Sequence, residues 1–406
     1  MRVGLLSYGF TGWGGGVDFV RYVASALTDT QSKSLEGKAL FLPGDDFLFN
    51  FKKIIYPMRS ALMSAMKGAS PVFQKYPGYS ERNFREIFSD FSESFDLIYC
   101  GSSYKSQLDL ACNYKMNVVL PCMVPPAPGF PLPWIGYLYD FQHKYLTYLF
   151  DENEVKRRDD DFALMLGTAR HIIVNSQSVA NDANDFFPAH SAKVHVLPFS
   201  PCPQQSWLES NLDVRSKFGL VKPYYLVSNQ FWKHKDHATV FRAYARYILA
   251  GGDALLVCTG GTKDYRFPEY YGELMGLINE LRISDKVRIL GHIPKIEQIA
   301  LIKKARSVVQ PTLFEGGPGG GASYDAIALG VPVIASDIPV NLEMNCGDVT
   351  FFRAGDDQHL FEAFVDQDRM GILEMDVESL WMAGIRRRRL CGDVLVDIAE
   401  QAIDRN

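Results

Sequence analysis

Two carboxylates, Glu315 and Asp325, flank a run of five glycines and a proline at 316–321. Glycines let the backbone approach a ligand closely, and a helix N-terminus offers unpaired N–H groups and partial positive charge. A glycine turn leading into a helix is therefore a socket for phosphate. Carboxylates beside it suit hydroxyl groups, as hydrogen-bond acceptors for a sugar or ribose. The ligand implied carries phosphates and several hydroxyls, as a nucleotide-sugar does. Read alone, the glycine run is also compatible with a plain tight connection. Three further clusters bear on the choice. Lys233 and Lys235, with His234 and His237, place cationic donors for a diphosphate beside a strand end, or else form a surface basic patch. Gly14, Gly15 and Gly16 fall in the loop after the first strand, without the GxGxxG spacing of a dinucleotide site. Tyr139, Asp140, Gln142 and His143 follow an apolar run; the histidine suits a base or a sugar-hydroxyl donor, or a local cap.

The elements that must position these groups alternate. Short apolar runs predict strands at 2–8, 38–42, 97–100, 117–121, 171–174 and 193–197 in the first half. A second set follows at 224–228, 254–258, 287–290, 307–310 and around 333–336. Helical spacing predicts helices at 17–27, 51–67, 237–249, 270–281, 296–304, from 322 or 323 to 330, and over 377–406. Each of the singled-out clusters lies just after a strand, where open parallel sheets bind ligands. Five prolines between 122 and 133 predict an ordered, non-helical loop, and the proline-rich stretch at 198–203 is the best linker candidate. The expected organisation is a domain over 1–200, a second over 201–380, and a final helix at 381–406 that returns towards the first.

The stretch 51–67 mixes Lys52, Lys53, Arg59 and Lys67 with Met58, Leu62 and Met66, which share a helix face. It either packs on its own domain or touches an anionic membrane surface or acceptor. The run Arg386-Arg387-Arg388-Arg389 reads as a solvated face, with a membrane phosphate contact as the alternative. The 406 residues have a net charge of −5, which gives no general case for nucleic acid. No apolar run reaches the roughly 18 residues of a membrane span. Residues 1–8 read as a strand rather than a signal peptide. Seven scattered cysteines without a CxxC pair suit a reducing cytosol and argue against a zinc site.

Taken together, the glycines at 14–16, the stretch 228–235, Gly291-His292-Ile293 and the segment from Glu315 to Ser336 resemble the family 4 retaining glycosyltransferases. The resemblance is strongest over 224–340. It implies the GT-B fold: two Rossmann-like, doubly wound parallel-sheet α/β domains facing a central cleft. It implies a catalytic set of Glu315, Lys235, Asp140 and His143. The donor-binding set would be Gly15, Gly16, Gln230, Lys233, Gly260, His292, Ile293, Gly317, Gly319, Gly320, Gly321 and Asp325. Three positions depart from the family pattern. Gln230 stands where an arginine is usual, leaving Lys233 as a substitute. Nine residues, not seven, separate Glu315 from the second acid, which is Asp325 rather than glutamate. Tyr139-Asp140 stands for His-Asp, with His143 three residues on.

The implied reaction is metal-free, cofactor-free transfer of a hexose from a nucleoside-diphosphate sugar to a glycan or lipid-linked acceptor hydroxyl, with retention. The donor leans to GDP-mannose through the stretch 228–235. Lys235, Lys233 and the glycine N–H groups would hold the leaving diphosphate, Glu315 the sugar and Asp325 the ribose. The acceptor would bind the first domain, and closure about 198–203 would exclude water. The expected location is cytoplasmic, or peripheral at the inner membrane face. The rival readings are a sugar-nucleotide epimerase on the same fold and a non-catalytic nucleotide-binding protein.

Overall fold

The computed structural model describes residues 1–12, 14–66, 79–264, 266–370 and 376–404. Two parallel sheets organise it. The first contains β1 (Arg2–Leu6), β2 (Gly37–Pro43), β3 (Asp96–Cys100), β4 (Val118–Cys122), β5 (Trp134–Tyr137), β6 (His171–Val174) and β7 (Lys193–Val196), in the order β3-β2-β1-β4-β5-β6-β7. The second contains β8 (Tyr224–Ser228), β9 (Leu255–Thr259), β10 (Val287–Gly291), β11 (Ser307–Gln310), β12 (Val333–Ser336) and β13 (Val349–Phe352), in the order β10-β9-β8-β11-β12-β13. Helices cover both faces, so the inner strands are apolar on both sides: Val118, Val119 and Leu120 are fully buried, as are Tyr225, Leu226 and Val227. The chain has the doubly wound α/β GT-B architecture that the sequence predicts.

In each sheet the order reverses once, between β1 and β4 and between β8 and β11. Connections leaving adjacent strands in opposite directions open a crevice at the carboxyl ends of those strands. Lys235 follows β8 and Glu315 follows β11, so the two sheet neighbours deliver the two groups to one crevice.

Several boundaries differ from expectation. The first helix spans Gly14–Asp29, so the three glycines form its first turn rather than a loop. First-turn N–H groups lack intrahelical partners in any case, and the cost of glycine is smallest there. The helix after the glycine run spans Gly320–Ala328, with Gly319 as its N-cap. The helix expected over 51–67 spans Phe47–Met66; Asp46 accepts from the Phe49 N–H at 2.8 Å and so starts it earlier. Lys67 lies outside the described residues.

The last helix, Val377–Ile403, lies along the first one. A methyl on Gly392 would come within 2.0 Å of the Ala26 carbonyl oxygen, so only glycine permits this approach. The arginine run here is not a solvated face. Arg388 pairs with Asp29 at 2.5 Å, Arg389 Nε donates to Asp29 O at 3.1 Å, and Arg387 Nε donates to Pro201 O at 2.9 Å. Only Arg386 of the four is exposed.

Candidate active site

The loop after β8 ends in a 3-10 turn, Lys233–Lys235, and then Asp236, whose φ of +46° redirects the chain into the helix His237–Leu249. This loop is tied to the one after β11: the His234 carbonyl accepts from Leu313 N at 2.8 Å and from the Thr312 hydroxyl at 3.3 Å. Lys235 Nζ and Glu315 Oε1 form an ion pair, with only 14% and 13% of their side chains exposed. Gln310 Nε2 donates to the same carboxylate oxygen at 2.9 Å, and Asn229 Nδ2 donates to Gln310 Oε1 at 2.8 Å. The Glu315 carboxylate is thus held by a charge and by an oriented amide.

The two histidines expected to add cationic character do not. His234 and His237 are buried, and burial together with the Lys235 charge lowers their imidazoles to about 2 and about 3, respectively. Both are neutral at physiological pH. Lys233 is exposed, and its ammonium lies 4.6 Å from the centroid of the Phe267 ring rather than with the Lys235–Glu315 pair. Gln230 is exposed.

The glycine turn arches over Glu315. Gly319 and Gly320 have φ of +69° and +61°, a conformation that favours glycine, and Gly319 N donates to Asn341 Oδ1 at 2.9 Å. A methyl on Gly320 would sit 3.0 Å from Gln310 Nε2 and 3.3 Å from Glu315 Oε1. The helix it opens has no side-chain cap; Gly320 N turns back to Gly317 O at 3.5 Å, and the N–H groups of Gly321 and Ala322 and the helix dipole remain for a ligand beside Glu315. Gly321 in that first turn is exposed, whereas Gly317 lies against Asn175 of the first domain.

The first domain closes the other side. A methyl on Gly316 would meet Tyr139 O at 2.2 Å and Asp140 Cβ at 2.9 Å. The Asp140 carboxylate accepts from Gln142 N at 2.9 Å. Burial pushes its pKa up and the nearby Glu315 adds to this, while the Gln142 hydrogen bond, Arg158 and Lys235 oppose. Glu315, Lys235 and Asp140 are therefore within electrostatic reach of one another across the cleft.

His143 is not part of this group. Its side chain is fully buried, hydrogen-bonded through Nε2 to Asp159 Oδ1 at 2.9 Å and packed beside Phe141 and Phe162. It sits in the short helix Gln142–Tyr145, whose turn directs it into its own domain. The catalytic role expected for it is withdrawn.

Asp325, on the Gly320–Ala328 helix, accepts from Lys295 Nζ at 2.6 Å. Burial raises its pKa, Lys295 opposes, and Asp18 of the first helix raises it further. Gly15 and Gly16 precede Asp18 in that helix's first turn, Gly15 exposed and Gly16 buried. Gly260 packs against the loop after β8, where a methyl would lie 2.1 Å from Asn229 O, and its N–H donates to Gly291 O at 2.8 Å. Next to Gly291, His292 is exposed and Ile293 packs on the core of the second domain.

Residues 211–365, which contain β8 to β13, Lys235 and both acids, match the family model described as glycosyl transferases group 1. That segment is similar to the glycosyl transferases group 1 domains. Two curated relatives match part of the chain. The glycosyltransferase 1 domain-containing protein 1 of Xenopus tropicalis is 26% identical over 200 residues, 47% of this chain and 55% of the relative. The O-antigen chain mannosyltransferase RfbU of Salmonella typhimurium is 22% identical over 218 residues, 53% of this chain and 56% of the relative. The chain thus spans just over half the length of these relatives. Among solved structures, a glycosyltransferase from Rickettsia africae superposes with a TM-score of 0.61 at 13% identity, covering 100% of this chain and 99% of that one. HepE of Anabaena, in complex with UDP and glucose, gives 0.54 at 15%, covering 99% and 98%. These superpositions show the shared fold.

The second domain contributes four residues to the cleft region that sequence reasoning did not single out. Lys295 neutralises Asp325. Asn229 and Gln310 orient Glu315. Glu343 reaches across to the first domain, where its carboxylate accepts from the N–H groups of Gln177 and Ser178, each at 2.7 Å. The neighbouring Ser176 hydroxyl donates to Gly316 O at 3.3 Å and accepts from Val179 N at 3.1 Å.

Proposed function

We propose that the chain is a retaining, metal-independent hexosyltransferase that moves a sugar from a nucleoside diphosphate to a hydroxyl of a glycan or lipid-linked acceptor. The observation that carries this reading is the Lys235–Glu315 pair beneath an uncapped helix N-terminus, faced by Asp140. An incoming diphosphate would replace Glu315 as the partner of Lys235. Glu315 would then be released to accept from sugar hydroxyls, still oriented by Gln310. As the bond from the anomeric carbon to the diphosphate breaks, negative charge grows on the leaving oxygen. Lys235 and the N–H groups of Gly321 and Ala322 in the first turn of the Gly320–Ala328 helix are the donors that would hold it. No carboxylate pair is needed to bind a cation for that purpose. Retention requires the acceptor to arrive on the face the diphosphate leaves, so the acceptor would lie towards Asp140 and the first domain.

Asp325 would exchange Lys295 for ribose hydroxyls. The preferred donor is GDP-mannose, supported by the resemblance at 228–235 and by the mannosyltransferase named among the relatives; the HepE complexes with UDP make UDP-glucose the rival to test. Synthesis of cell-surface polysaccharide or glycoconjugate is the process that fits such a donor and acceptor.

The test is a thermal-shift and calorimetry series with GDP, UDP, ADP and TDP and then their sugars, without added metal. One nucleotide at a hundredfold excess over its Kd should stabilise the fold by about 2.7 kcal/mol, and its sugar should be slowly hydrolysed. No shift with any nucleotide would turn the reading to a non-catalytic protein.

A further inference from the structure

Beside the Lys235–Glu315 pair, aromatic rings join the two domains in three places. Phe314, which precedes Glu315, lies 5.6 Å from Tyr145 between ring centroids. The Lys233 ammonium sits between two rings, 6.0 Å from that of Tyr148 and 4.6 Å from that of Phe267. The Arg266 guanidinium lies 5.4 Å from the Phe150 ring and 5.7 Å from that of Trp232. Tyr145, Tyr148 and Phe150 belong to the segment of the first domain that follows Asp140; the others belong to the second domain. The three contacts form one wall, which starts at the residue next to Glu315.

Two of these rings are held but not covered. Tyr145 and Tyr148 are 55% and 56% exposed. The Tyr145 hydroxyl donates to Asp182, and its ring rests on Phe186 as well as on Phe314. An exposed tyrosine offers a rigid apolar face with a polar tip, and it loses little freedom on binding. A sugar ring has the matching form, a face of C–H groups edged by hydroxyls. Next to the rings is a groove of about 360 Å³, lined by Thr147, Phe150, Glu152, Val155, Lys156 and Asp159. Its carboxylates and hydroxyl suit sugar hydroxyls.

Charge narrows the class of sugar. Arg158 pairs with Glu154 at 3.1 Å, Arg266 with Asp264 at 3.7 Å and Lys144 with Asp159 at 2.6 Å. Lys233 is exposed and has no carboxylate partner among the described residues. A neutral sugar would leave that charge unanswered, whereas a carboxylate or phosphate on the sugar would pair with it. The group assigned to the ribose, Asp325, has other neighbours, Lys295 and Asp18. The wall instead follows Asp140, towards which retention directs the acceptor.

We propose that this wall is the acceptor subsite and that its ligand is an acidic glycan: a sugar ring lies on Tyr148 and its anionic group pairs with Lys233. This rests on the transferase reading and names the acceptor class for the same cleft.

The probes are methyl glucoside, methyl glucuronide and methyl glucoside 6-phosphate, titrated into the whole chain and followed by saturation-transfer NMR. One or both anionic probes should bind about tenfold or more tightly than the neutral one, and the tighter of the two names carboxylate or phosphate. Lys233→Met should abolish that preference. Tyr148→Ser should weaken the anionic probes by about threefold to tenfold, and Tyr148→Phe, which keeps the ring, should bind as wild type does. The nucleotide thermal shift is measured on the same proteins. If it is present and no probe binds, or the neutral probe binds as tightly as the anionic ones, the subsite is overturned and the transferase reading stands. If the anionic probes bind as expected and no nucleotide does, the wall is a glycan site and the transferase reading alone fails. Wild-type affinity in Tyr148→Ser would overturn the subsite. So would loss of the nucleotide shift in Lys233→Met, which would return Lys233 to the donor diphosphate.

Discussion

The Glu343 carboxylate of the second domain sits on the Gln177 N–H of the first, 2.7 Å away, at the start of a helix spanning Gln177–Phe186. A carboxylate there is favoured by the helix dipole as well as by two hydrogen bonds. The contact joins surfaces on opposite sides of the cleft. Glu343→Ala should therefore favour separation of the two sheets. A charged hydrogen bond contributes about 1.5–3 kcal/mol, so the closed fraction of the ligand-free protein should fall roughly tenfold or more. Small-angle scattering should give a larger radius of gyration for the variant, reversed by a saturating donor. Equal radii for variant and wild type would show that Glu343 does not hold the closed form.

Glu315→Gln keeps the size of the side chain and a carbonyl oxygen for Gln310, while removing the charge that Lys235 faces. Transfer should fall by about 10²–10³-fold, the range found when one oriented group is removed from a charge-stabilising site. Lys235→Met should do the same through kcat. Circular dichroism should be unchanged in both. Near wild-type turnover in either variant would remove that residue from the reaction.

Asp325→Asn should act on nucleotide affinity. Losing a charged hydrogen-bond acceptor for ribose should weaken nucleotide binding by about 10–100-fold. Preference between donor sugars should not change, because Glu315 and Gln310 remain. Calorimetry with the free nucleotide reads this directly, and an unaltered Kd would exclude the ribose contact.

His237 makes stability depend on pH. Its imidazole is fully buried and stacked on Phe231 at 4.1 Å, and neither ring nitrogen has a hydrogen-bond partner among the described residues. Burial lowers its pKa to about 3, against about 6.5 when unfolded. Between those values the unfolded chain binds the proton and the folded one does not. The stability is fully present above about pH 6.5 and is lost as pH falls, by up to about 1.4 kcal/mol per pH unit for this histidine. His234, lowered by burial to about 2, adds to the same slope. Melts between pH 7 and pH 5 should show the wild type losing more stability than His237→Phe, which keeps the ring stack. Parallel losses would show that His237 is not the source.

The alternation of strands and helices was legible because parallel strands covered on both faces read as unbroken apolar runs, as at 118–120 and 225–227. Glu315 and Lys235 were legible because each lies in the loop that leaves such a strand. Orientation was not. Nothing local to Asp140 and His143 says that one faces the cleft while the other turns into an aromatic cluster to meet Asp159. Burial was not legible at His234 and His237 either, so their neutrality could not be anticipated from four basic residues in five positions. Lys295 and Glu343 were invisible for another reason: their partners lie 30 and 166 residues away. The strand Val349–Phe352 and the helix Asp357–Met370 were not singled out either, although Leu360, Ala363, Phe364 and Gln367 are buried at helical spacing along the latter.

The chain passes from the first sheet to the second at 198–203 and comes back along the Val377–Ile403 helix, and these two passages touch. A methyl on Gly384 would lie 2.7 Å from Pro203 Cδ and 2.8 Å from Cys202 Sγ, and Arg387 is bonded to Pro201. Two bodies joined by two adjacent strands of one chain can turn about the line through both joints but resist sliding past each other. The joints act as an axle. Closure about such an axle would return Asp140 to the same place opposite Glu315, so that the alignment of the two carboxylates would be set by a part of the molecule that touches neither of them.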